Sequence, residues 1–158
     1  MLKGFLPIIG ENPTILILGS MPSVKSLEEQ EYYAHPTNRF WRILGELYSF
    51  EFTSYNDKIN FLKMHQIALW DVIASCEREG SLDSQIKHVC PNDIIEILRN
   101  NPTIHTIYCN GRKAYELLSK HFPELKSITK ALPSTSSANQ SKSYSSILEE
   151  WSVIHNDK

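Results

Sequence analysis

The stretch Ile15-Leu16-Ile17-Leu18-Gly19 is a short aliphatic run that ends at a glycine. A run of this length between chain-breaking residues is typical of a strand buried on both faces of a sheet. Three further runs share its length and its Gly, Asn, Asp or Pro boundaries, and each is predicted to be a strand: Ile67–Asp71, Thr106–Asn110 and Ile128–Leu132. The chain therefore carries four candidate buried strands.

Helical patterns separate these strands. Apolar residues recur at three- and four-residue spacing in four segments: Asn38–Tyr48 and residues 94–98, 114–121 and 147–154. Strands that alternate with helices predict a parallel sheet that is covered on both faces. The predicted fold class is α/β, a three-layer α/β/α sandwich with a four-stranded parallel sheet, in a single domain of residues 1–158.

The loops that follow the strands are expected at one edge of this sheet, because right-handed crossovers make all the parallel strands end there. Ligands of such sheets bind at that edge. The informative loops are therefore those that follow Gly19, Asp71, Asn110 and Leu132.

Composition excludes several classes of protein. The chain is 41% hydrophobic and 22% charged, which is typical of a globular domain, and its formal net charge of −2 gives no sign of a nucleic-acid partner. Cys76, Cys90 and Cys109 are too few and too irregularly spaced for a disulfide framework or a cysteine-ligated metal or iron–sulfur site. No apolar run is long enough for a membrane span, so we expect a reduced, cytoplasmic, monomeric protein without a membrane partner.

The segment Tyr32–Trp41 concentrates aromatic, imidazole and amide side chains where a loop is expected. Aromatic faces suit stacking on a planar base, and an Asn carboxamide can hold a water or read a base edge. Each residue also has a structural interpretation. The Phe40–Trp41 pair would begin a helix in the core, Asn38 would be its N-cap, and His35 beside Pro36 would be a structural hydrogen-bond donor.

The other loops allow two interpretations each. The segment Gly19–Ser23 is either a plain strand-to-helix turn or a loop that brings backbone N–H groups close to a ligand. The segment Asn110–Lys113 is either a turn with two solvated cations or a site where an amide faces the ligand and the cations meet phosphates. The small polar residues of Pro133–Asn139 would allow close approach to a phosphodiester.

These segments, in this order, resemble the uracil-DNA glycosylase superfamily. The pairing of Gly19–Pro22 with Tyr33–Trp41 is the most specific part, and Leu69–Val72, Asn110–Arg112 and Leu132–Ser136 extend the resemblance over nearly the whole chain. It is closest to the hypoxanthine-DNA (deoxyinosine) glycosylase branch, with the mismatch-specific uracil/thymine glycosylases next. The resemblance implies a four-stranded parallel sheet between helices. It also implies an enzyme that flips a damaged base out of DNA and hydrolyses the N-glycosidic bond without metal or cofactor.

The resemblance, together with the loop analysis, assigns expected roles. Asn38 takes the position of the catalytic amide, and Tyr33 that of the aromatic residue that stacks on the flipped base. The base-binding set is Gly19, Ser20, Met21, Pro22, Tyr33 and Asn110. The set for the DNA backbone is Arg112, Lys113, Pro133, Ser134, Thr135 and Ser136, and the structural set beside the site is His35, Pro36 and Asp71.

Two departures from the superfamily pattern affect the mechanism. Met21 stands where many members have Asp or Asn to position the water, and Ser23 stands where glycine is usual. A thioether cannot orient water well, so Asn38 Oδ1 is expected to hold it. The residue that wedges into the emptied base stack is not evident, and Asn139 and Gln140 are candidates.

Three other functions compete with the excision of hypoxanthine. A mismatch-specific uracil/thymine glycosylase would share the geometry and differ in the pocket. A non-catalytic nucleic-acid or nucleotide-binding module would explain the missing acidic residue in the first motif. A general hydrolase that uses His35, Asp71 or a serine is disfavoured, because no Gly-x-Ser-x-Gly motif is present.

Overall fold

The computed structural model describes residues 1–156, which form seven strands and seven α-helices. The strands are β1 (Leu2–Lys3), β2 (Ile15–Gly19), β3 (Ile67–Asp71), β4 (Ile73–Glu77), β5 (Lys87–Pro91), β6 (Thr106–Asn110) and β7 (Thr129–Leu132). The helices are α1 (Val24–Glu29), α2 (Phe40–Tyr48), α3 (Tyr55–Met64), α4 (Ile94–Asn100), α5 (Arg112–His121), α6 (Tyr144–Trp151) and α7 (Val153–Asn156). Two short 3-10 helices cover Asp83–Gln85 and Pro123–Ile128.

The central sheet is parallel and has four strands in the order β3-β2-β6-β7, which confirms the predicted fold class. The predicted strands agree with the observed ones except at Ile128, which ends a 3-10 helix instead of beginning β7. The pairing register places Gly19 opposite Asp71, and Asn110 opposite Leu132. The last residues of all four strands therefore lie along one edge of the sheet.

The sheet is buried on both faces because successive side chains of a strand point to opposite sides. Ile15 and Ile17 belong to one apolar cluster, with residues of α2, α3, α6 and α7. Leu16 and Leu18 belong to a second cluster, with residues of α4 and α5. The unbroken aliphatic run of β2 is thus explained by helices that cover both faces.

A second, three-stranded antiparallel sheet in the order β1-β4-β5 was not predicted from the sequence. Strand β5 contains Lys87 and His88, both exposed, and shows none of the apolar continuity of the central strands. The pairing of β4 with β5 also contains register irregularities, which break the two-residue alternation. The loop between these two strands reaches the edge of the central sheet.

The helix boundaries follow local signals in the sequence. Ser23 and Asp93 cap α1 and α4 by accepting hydrogen bonds from Ser26 N and Glu96 N. Helix α2 begins at Phe40, two residues after the start of the predicted segment Asn38–Tyr48. Within residues 1–156 no helix is long and apolar enough to cross a membrane.

Candidate active site

A cavity of about 1000 Å³ opens at the edge of the sheet where the parallel strands end. The structure brings nearly all of the predicted site residues to its lining: Gly19, Ser20, Met21, Pro22, Tyr33, His35, Asn38, Asp71, Asn110, Arg112, Lys113, Pro133, Ser134, Thr135 and Ser136. Pro36 does not line it. Four loops that are distant in sequence meet here, as expected for a parallel α/β sheet.

One side of the cavity is a hydrogen-bonded cluster of Asn38, Asn110 and Thr135, which we call the amide wall. Asn110 Nδ2 donates to Thr135 Oγ1 (3.0 Å), and Thr135 Oγ1 donates to Asn38 Oδ1 (2.9 Å). The Thr135 backbone N–H donates to Asn110 Oδ1 (3.0 Å). Thr135 is fully buried, so both amides are held by a side chain that water does not reach.

Asn38 uses its oxygen within the protein. Asn38 Oδ1 also accepts from the Phe40 backbone N–H (2.9 Å), so both of its lone pairs are engaged. The expected role of this oxygen as the holder of the water is therefore corrected. The Nδ2 group has no hydrogen-bond partner in the described part of the chain, and it is the free end of this amide. The N-cap interpretation is half right: position Arg39 is the N-cap, but the side chain that bonds to the first turn is that of Asn38.

The loop after β7 is fixed from two sides. Arg39 Nε donates to the Thr135 carbonyl (3.2 Å), and Arg39 Nη2 donates to the Ser136 carbonyl (2.6 Å). Trp151 Nε1 donates to the Pro133 carbonyl (2.9 Å). Sequence reasoning gave no role to Arg39, because only the folded chain shows which carbonyl groups its guanidinium meets. The predicted DNA-backbone loop is thus an ordered surface.

One part of the cavity lining is formed by Gly19, Tyr33 and Asp71, which we call the carboxyl floor. A Cβ atom on residue 19 would lie 2.5 Å from Asp71 Oδ1 and 2.9 Å from Tyr33 Oη, so only glycine leaves room for both groups. Asp71 is 4% exposed, and its Oδ2 has no hydrogen-bond partner among residues 1–156. Burial raises the pKa of the Asp71 carboxyl to about 7; the charge of Asp83 acts in the same direction and Arg78 opposes it.

Tyr33 joins the carboxyl floor to the apolar core. Its ring stacks on Phe40 with a centroid distance of 4.1 Å and an interplanar angle of 24°. The residue has a left-handed backbone with φ of 54°, a strained conformation for a tyrosine. Burial is the main cause that raises the pKa of its hydroxyl, with the charge of Asp71 second, while the facing Asn110 amide acts in the opposite direction. The phenol therefore stays neutral and can offer an O–H.

Comparison with known proteins identifies the family. The sequence model that describes the uracil DNA glycosylase superfamily matches residues 6–154 of this chain. The chain belongs to the uracil-DNA glycosylase superfamily. A hypoxanthine DNA glycosylase of Methanosarcina acetivorans is 40% identical over 96% of each chain, and one of Methanosarcina barkeri is 38% identical over 87% of this chain and 88% of that protein.

Two further comparisons agree with the superfamily assignment. A G/U mismatch-specific uracil DNA glycosylase of Schizosaccharomyces pombe is 32% identical over 76% of this chain and 38% of that protein. The solution NMR structure of a candidate uracil DNA glycosylase from Methanosarcina acetivorans superposes with a TM-score of 0.82 at 38% identity. That match covers 96% of this chain and 94% of the other.

In the first superfamily motif, Gly19–Ser23, the two serine side chains make hydrogen bonds within the protein. Ser20 Oγ donates to Asp83 Oδ1 (2.7 Å), and Ser23 caps α1. Met21 lines the cavity, but it is 8% exposed and packs within the second apolar cluster. A polar residue at position 21 would have to displace these apolar contacts, so Met21 serves the core in this superfamily member.

The loop between β4 and β5 supplies an exposed apolar residue that the sequence analysis missed. Leu82 lines the cavity mouth and is 55% exposed. Its neighbours are bonded to the first motif and to the helix that follows it: Asp83 accepts from Ser20, and Ser81 Oγ accepts from Val24 N (2.9 Å) at the start of α1. The wedge candidates predicted from the sequence, Asn139 and Gln140, lie after β7. Leu82 lies near the cavity because of the small antiparallel sheet, which was not predicted.

The rim on the other side carries the predicted cations. Gly111 has a φ of +97°, and a Cβ there would lie 3.1 Å from Ser134 Cβ, so glycine allows this turn to contact the loop after β7. Arg112 follows at the start of α5, largely exposed and 3.7 Å from Glu116, and Lys113 is half-buried. His35 was expected to donate a hydrogen bond. Instead its Nδ1 accepts from the Thr37 backbone N–H (3.2 Å) in an exposed turn.

Proposed function

We propose that this chain is a monofunctional DNA glycosylase that extrudes a deaminated base, hypoxanthine, from DNA and hydrolyses its N-glycosidic bond in base-excision repair. The observation that carries the proposal is the Asn38 carboxamide, which the amide wall holds at the cavity with one free donor group. The names of the two Methanosarcina relatives support hypoxanthine as the base. The cavity, about 1000 Å³, is large enough to take an extruded nucleotide.

The geometry supports a division of the cavity by depth. The sugar and phosphates of an extruded nucleotide stay near the duplex, and the base reaches furthest into the protein. Asp71 is buried, while Asn38 is half-buried and Arg112 is exposed at the rim. The base therefore meets the carboxyl floor and the free face of Tyr33, and the glycosidic bond lies beside the amide wall.

The chemistry proposed for Asn38 follows from its free Nδ2 group. When the bond between C1′ and the base nitrogen breaks, the electron pair moves onto the base, and positive charge remains on the sugar. A donor aimed at the departing base stabilises the negative charge, as an oxyanion hole does. The bond from Thr135 to Asn38 Oδ1 polarises the carboxamide and strengthens the Nδ2 donor.

Water completes the reaction without a strong base. The oxocarbenium ion is electrophilic enough for a neutral water to attack C1′, after which the water loses a proton to solvent and the base is protonated. Positioning and charge stabilisation then account for the catalysis. No step is assigned to Met21, since its side chain belongs to the core.

The rim supports a DNA partner. Arg112, Lys113 and the loop Pro133–Ser136 would contact phosphates on one side of the mouth. We assign to Leu82, on the other side, the insertion into the gap that the extruded base leaves, because apolar side chains wedge between base pairs in this way. Free cysteines at positions 76, 90 and 109 support action in a reducing compartment such as the cytoplasm, where we propose that the chain acts as a monomer.

Substitutions at Asn38 test the proposal. On a duplex with one inosine, Asn38→Ala is expected to reduce the single-turnover rate by about 10²- to 10³-fold, measured as strand cleavage after alkali. Asn38→Asp keeps an acceptor oxygen but loses the donor, so it is expected to be as inactive as the alanine variant. Asn60→Asp, which places the same charge on the exposed surface of α3, is the matched control.

The same assay separates the competing functions. Full activity of Asn38→Asp would overturn the donor role, and full activity of Asn38→Ala would remove Asn38 from the chemistry. Binding of inosine-containing DNA without release of any base would identify a non-catalytic module.

A mismatch-specific uracil glycosylase is the second candidate, favoured by the similarity to the Schizosaccharomyces pombe protein. Rates for uracil, inosine, xanthine and thymine opposite each normal base decide between the two. Release of hypoxanthine at the highest rate supports the first proposal, and a preference for uracil opposite guanine supports the second.

A further inference from the structure

We propose that Arg78 is a positioning residue that ties the loop of residues 78–85 to the first motif and so holds Leu82 in place for insertion into DNA. This loop follows β4, and we call it the mouth loop. The inference rests on the proposed function, which assigns to Leu82 the gap that the extruded base leaves. It adds to the wedge a residue that acts through Leu82 and not on the DNA.

The mouth loop has almost no apolar attachment to the rest of the protein. All residues from Glu79 to Gln85 are exposed, and the apolar residue that follows them into the core is Ile86. Gly80 has a left-handed backbone with φ of 71°, and a Cβ atom there would meet nothing within 4 Å. A segment with few buried apolar contacts opens easily by itself. The position of Leu82 therefore depends on the hydrogen bonds of its loop.

Arg78 makes two charge-assisted hydrogen bonds that join the mouth loop to the first motif. Its Nη2 donates to the Pro22 carbonyl (2.6 Å), and its Nε donates to the Gly80 carbonyl (2.7 Å). One planar guanidinium thus fixes the distance between the two loops, and bonds from a charged donor are stronger than neutral ones. Burial lowers the pKa of this group, while nearby ionisable groups, Asp83 among them, favour its charged form.

Two more hydrogen bonds hold the residues on either side of Leu82. Ser20 Oγ donates to Asp83 Oδ1 (2.7 Å), and the Val24 backbone N–H donates to Ser81 Oγ (2.9 Å). Ser81 and Asp83 are exposed, so water can replace either partner. The bond from Arg78 is different, because Pro22 is buried and water is a poor substitute for the guanidinium there.

The tether makes Leu82 and the first motif move as one unit. The first motif lines the cavity that takes the extruded nucleotide, and Leu82 lies at the mouth of that cavity. A wedge on a free loop would lose conformational freedom each time it entered the duplex, and a tethered wedge has already lost it. Arg78 therefore favours extrusion of a base from a duplex. It gives no such advantage on a single strand, which has no gap to fill.

Excision rates on paired and unpaired DNA test the inference. Arg78→Met removes the donors and keeps most of the length of the side chain. With inosine in a duplex, we expect its single-turnover rate to fall by about fivefold to tenfold, close to the loss for Leu82→Ala. On single-stranded inosine DNA the rate should stay within about twofold of wild type. The matched control is Lys25→Met, which removes a cation of α1 outside the cavity lining and should leave both rates unchanged.

A double-variant cycle shows whether Arg78 acts through Leu82. If it does, Arg78→Met should cause almost no further loss of the duplex rate in a Leu82→Ala protein, since residues that act as a unit are not additive. Arg78→Lys keeps the charge but lacks the planar fork that reaches both carbonyls, so it should recover only part of the rate. Melting temperatures show whether the variants are folded, and Arg78→Lys carries the cycle if the methionine variant is not.

A fluorescent base supplies a measurement that does not depend on catalysis. The base 2-aminopurine, placed beside inosine in the duplex, becomes brighter when a wedge unstacks it. The increase on binding of wild-type protein should be smaller for Arg78→Met and Leu82→Ala alike, and unchanged for Lys25→Met.

The outcomes are distinguishable. Additive losses in the double variant, or an equal loss on single strands and duplexes, would overturn the role of Arg78 while the glycosylase function stands. Full duplex activity of Leu82→Ala would overturn the wedge and the role of Arg78 together. A wild-type protein that releases no base from the whole lesion panel would overturn the proposed function itself.

Discussion

The two polar regions of the cavity differ in how far their hydrogen bonds are satisfied. In the amide wall, Thr135 joins Asn38 to Asn110, and the oxygen atoms of both amides accept hydrogen bonds from within the protein. In the carboxyl floor, Asp71 Oδ2 and the Tyr33 hydroxyl are buried without a hydrogen-bond partner in the described chain. Both amide oxygens of the wall are bonded before a ligand arrives, and the Asn38 Nδ2 group stays free. The floor instead leaves buried oxygen atoms without a bond.

This difference teaches how the site divides its work. A satisfied buried network is rigid and holds a donor in one orientation, which suits a group that must act at the transition state. An unsatisfied buried group costs stability, typically about 1–3 kcal/mol, and regains it when a ligand provides the bond. The wall therefore suits the donor role that we propose for Asn38, and the floor keeps buried polar groups that a ligand can pair.

The largest effect is expected from breaking the wall. Thr135→Val has nearly the same shape but removes the hydroxyl that joins the two amides. It should destabilise the fold by roughly 1–3 kcal/mol for each buried group left unpaired, and lower Tm by several degrees. Excision should also slow by about tenfold, because Asn38 loses one of the two bonds that orient it.

Calorimetry and single-turnover kinetics measure both effects of Thr135→Val. The control is Thr103→Val, which makes the same change at an exposed position outside the cavity. A Thr135→Val variant with wild-type Tm and rate would show that the amide wall contributes nothing to orientation.

A substitution in the floor should raise the stability of the fold, whereas Thr135→Val in the wall lowers it. Asp71→Asn is expected to stabilise the protein at alkaline pH. The carboxyl has a pKa of about 7 in the fold and near 4 when unfolded, so unfolding releases a proton between these values and stability falls as pH rises through the window. Asparagine at position 71 does not ionise, so the variant avoids this loss in the free energy of unfolding, which amounts to a few kcal/mol at most. Tm of Asp71→Asn should exceed that of the wild type at pH 8 and match it near pH 4.

A second carboxylate provides the contrast for this experiment. Hydrogen bonds from Thr53 lower the pKa of Asp57, a half-buried residue in α3, so its ionised form stabilises the fold above pH 4. Asp57→Asn should therefore lower Tm slightly at pH 8. If both substitutions changed Tm at pH 8 in the same direction, the assignment of the raised pKa to Asp71 would be contradicted.

The mouth should affect activity but not stability, and Leu82→Ala tests this. Because Leu82 is 55% exposed, Tm should change little, while excision from a duplex should slow by about tenfold through loss of the wedge. Single-stranded inosine DNA has no gap to fill, so its rate should not change. Val153→Ala truncates another exposed apolar residue, outside the cavity lining, and an equal loss in both variants, or a loss on single strands, would remove the wedge role.

Most of the fold was predictable from the sequence, because its signals are local. The aliphatic runs of Ile15–Gly19 and Ile67–Asp71 mark buried strands whatever their partners. The small sheet was not predictable, since Lys87–Pro91 pairs through its backbone while its side chains are mostly exposed. Its loop then delivers Leu82 to the cavity, a position without any signal in the local pattern.

For the site, too, some features were predictable from the sequence and others were not. The sequence by itself determined the fold class, the superfamily and a set of site residues that nearly all line the cavity, because the polar residues that follow parallel strands must meet at one edge. Only the tertiary structure decided what each atom does. Asn38 and Thr135 are 97 positions apart, and their contact turns the predicted water-holding oxygen into a bonded one. Burial leaves Asp71 with an unmet hydrogen bond, and that depends on the packing of distant segments around one glycine.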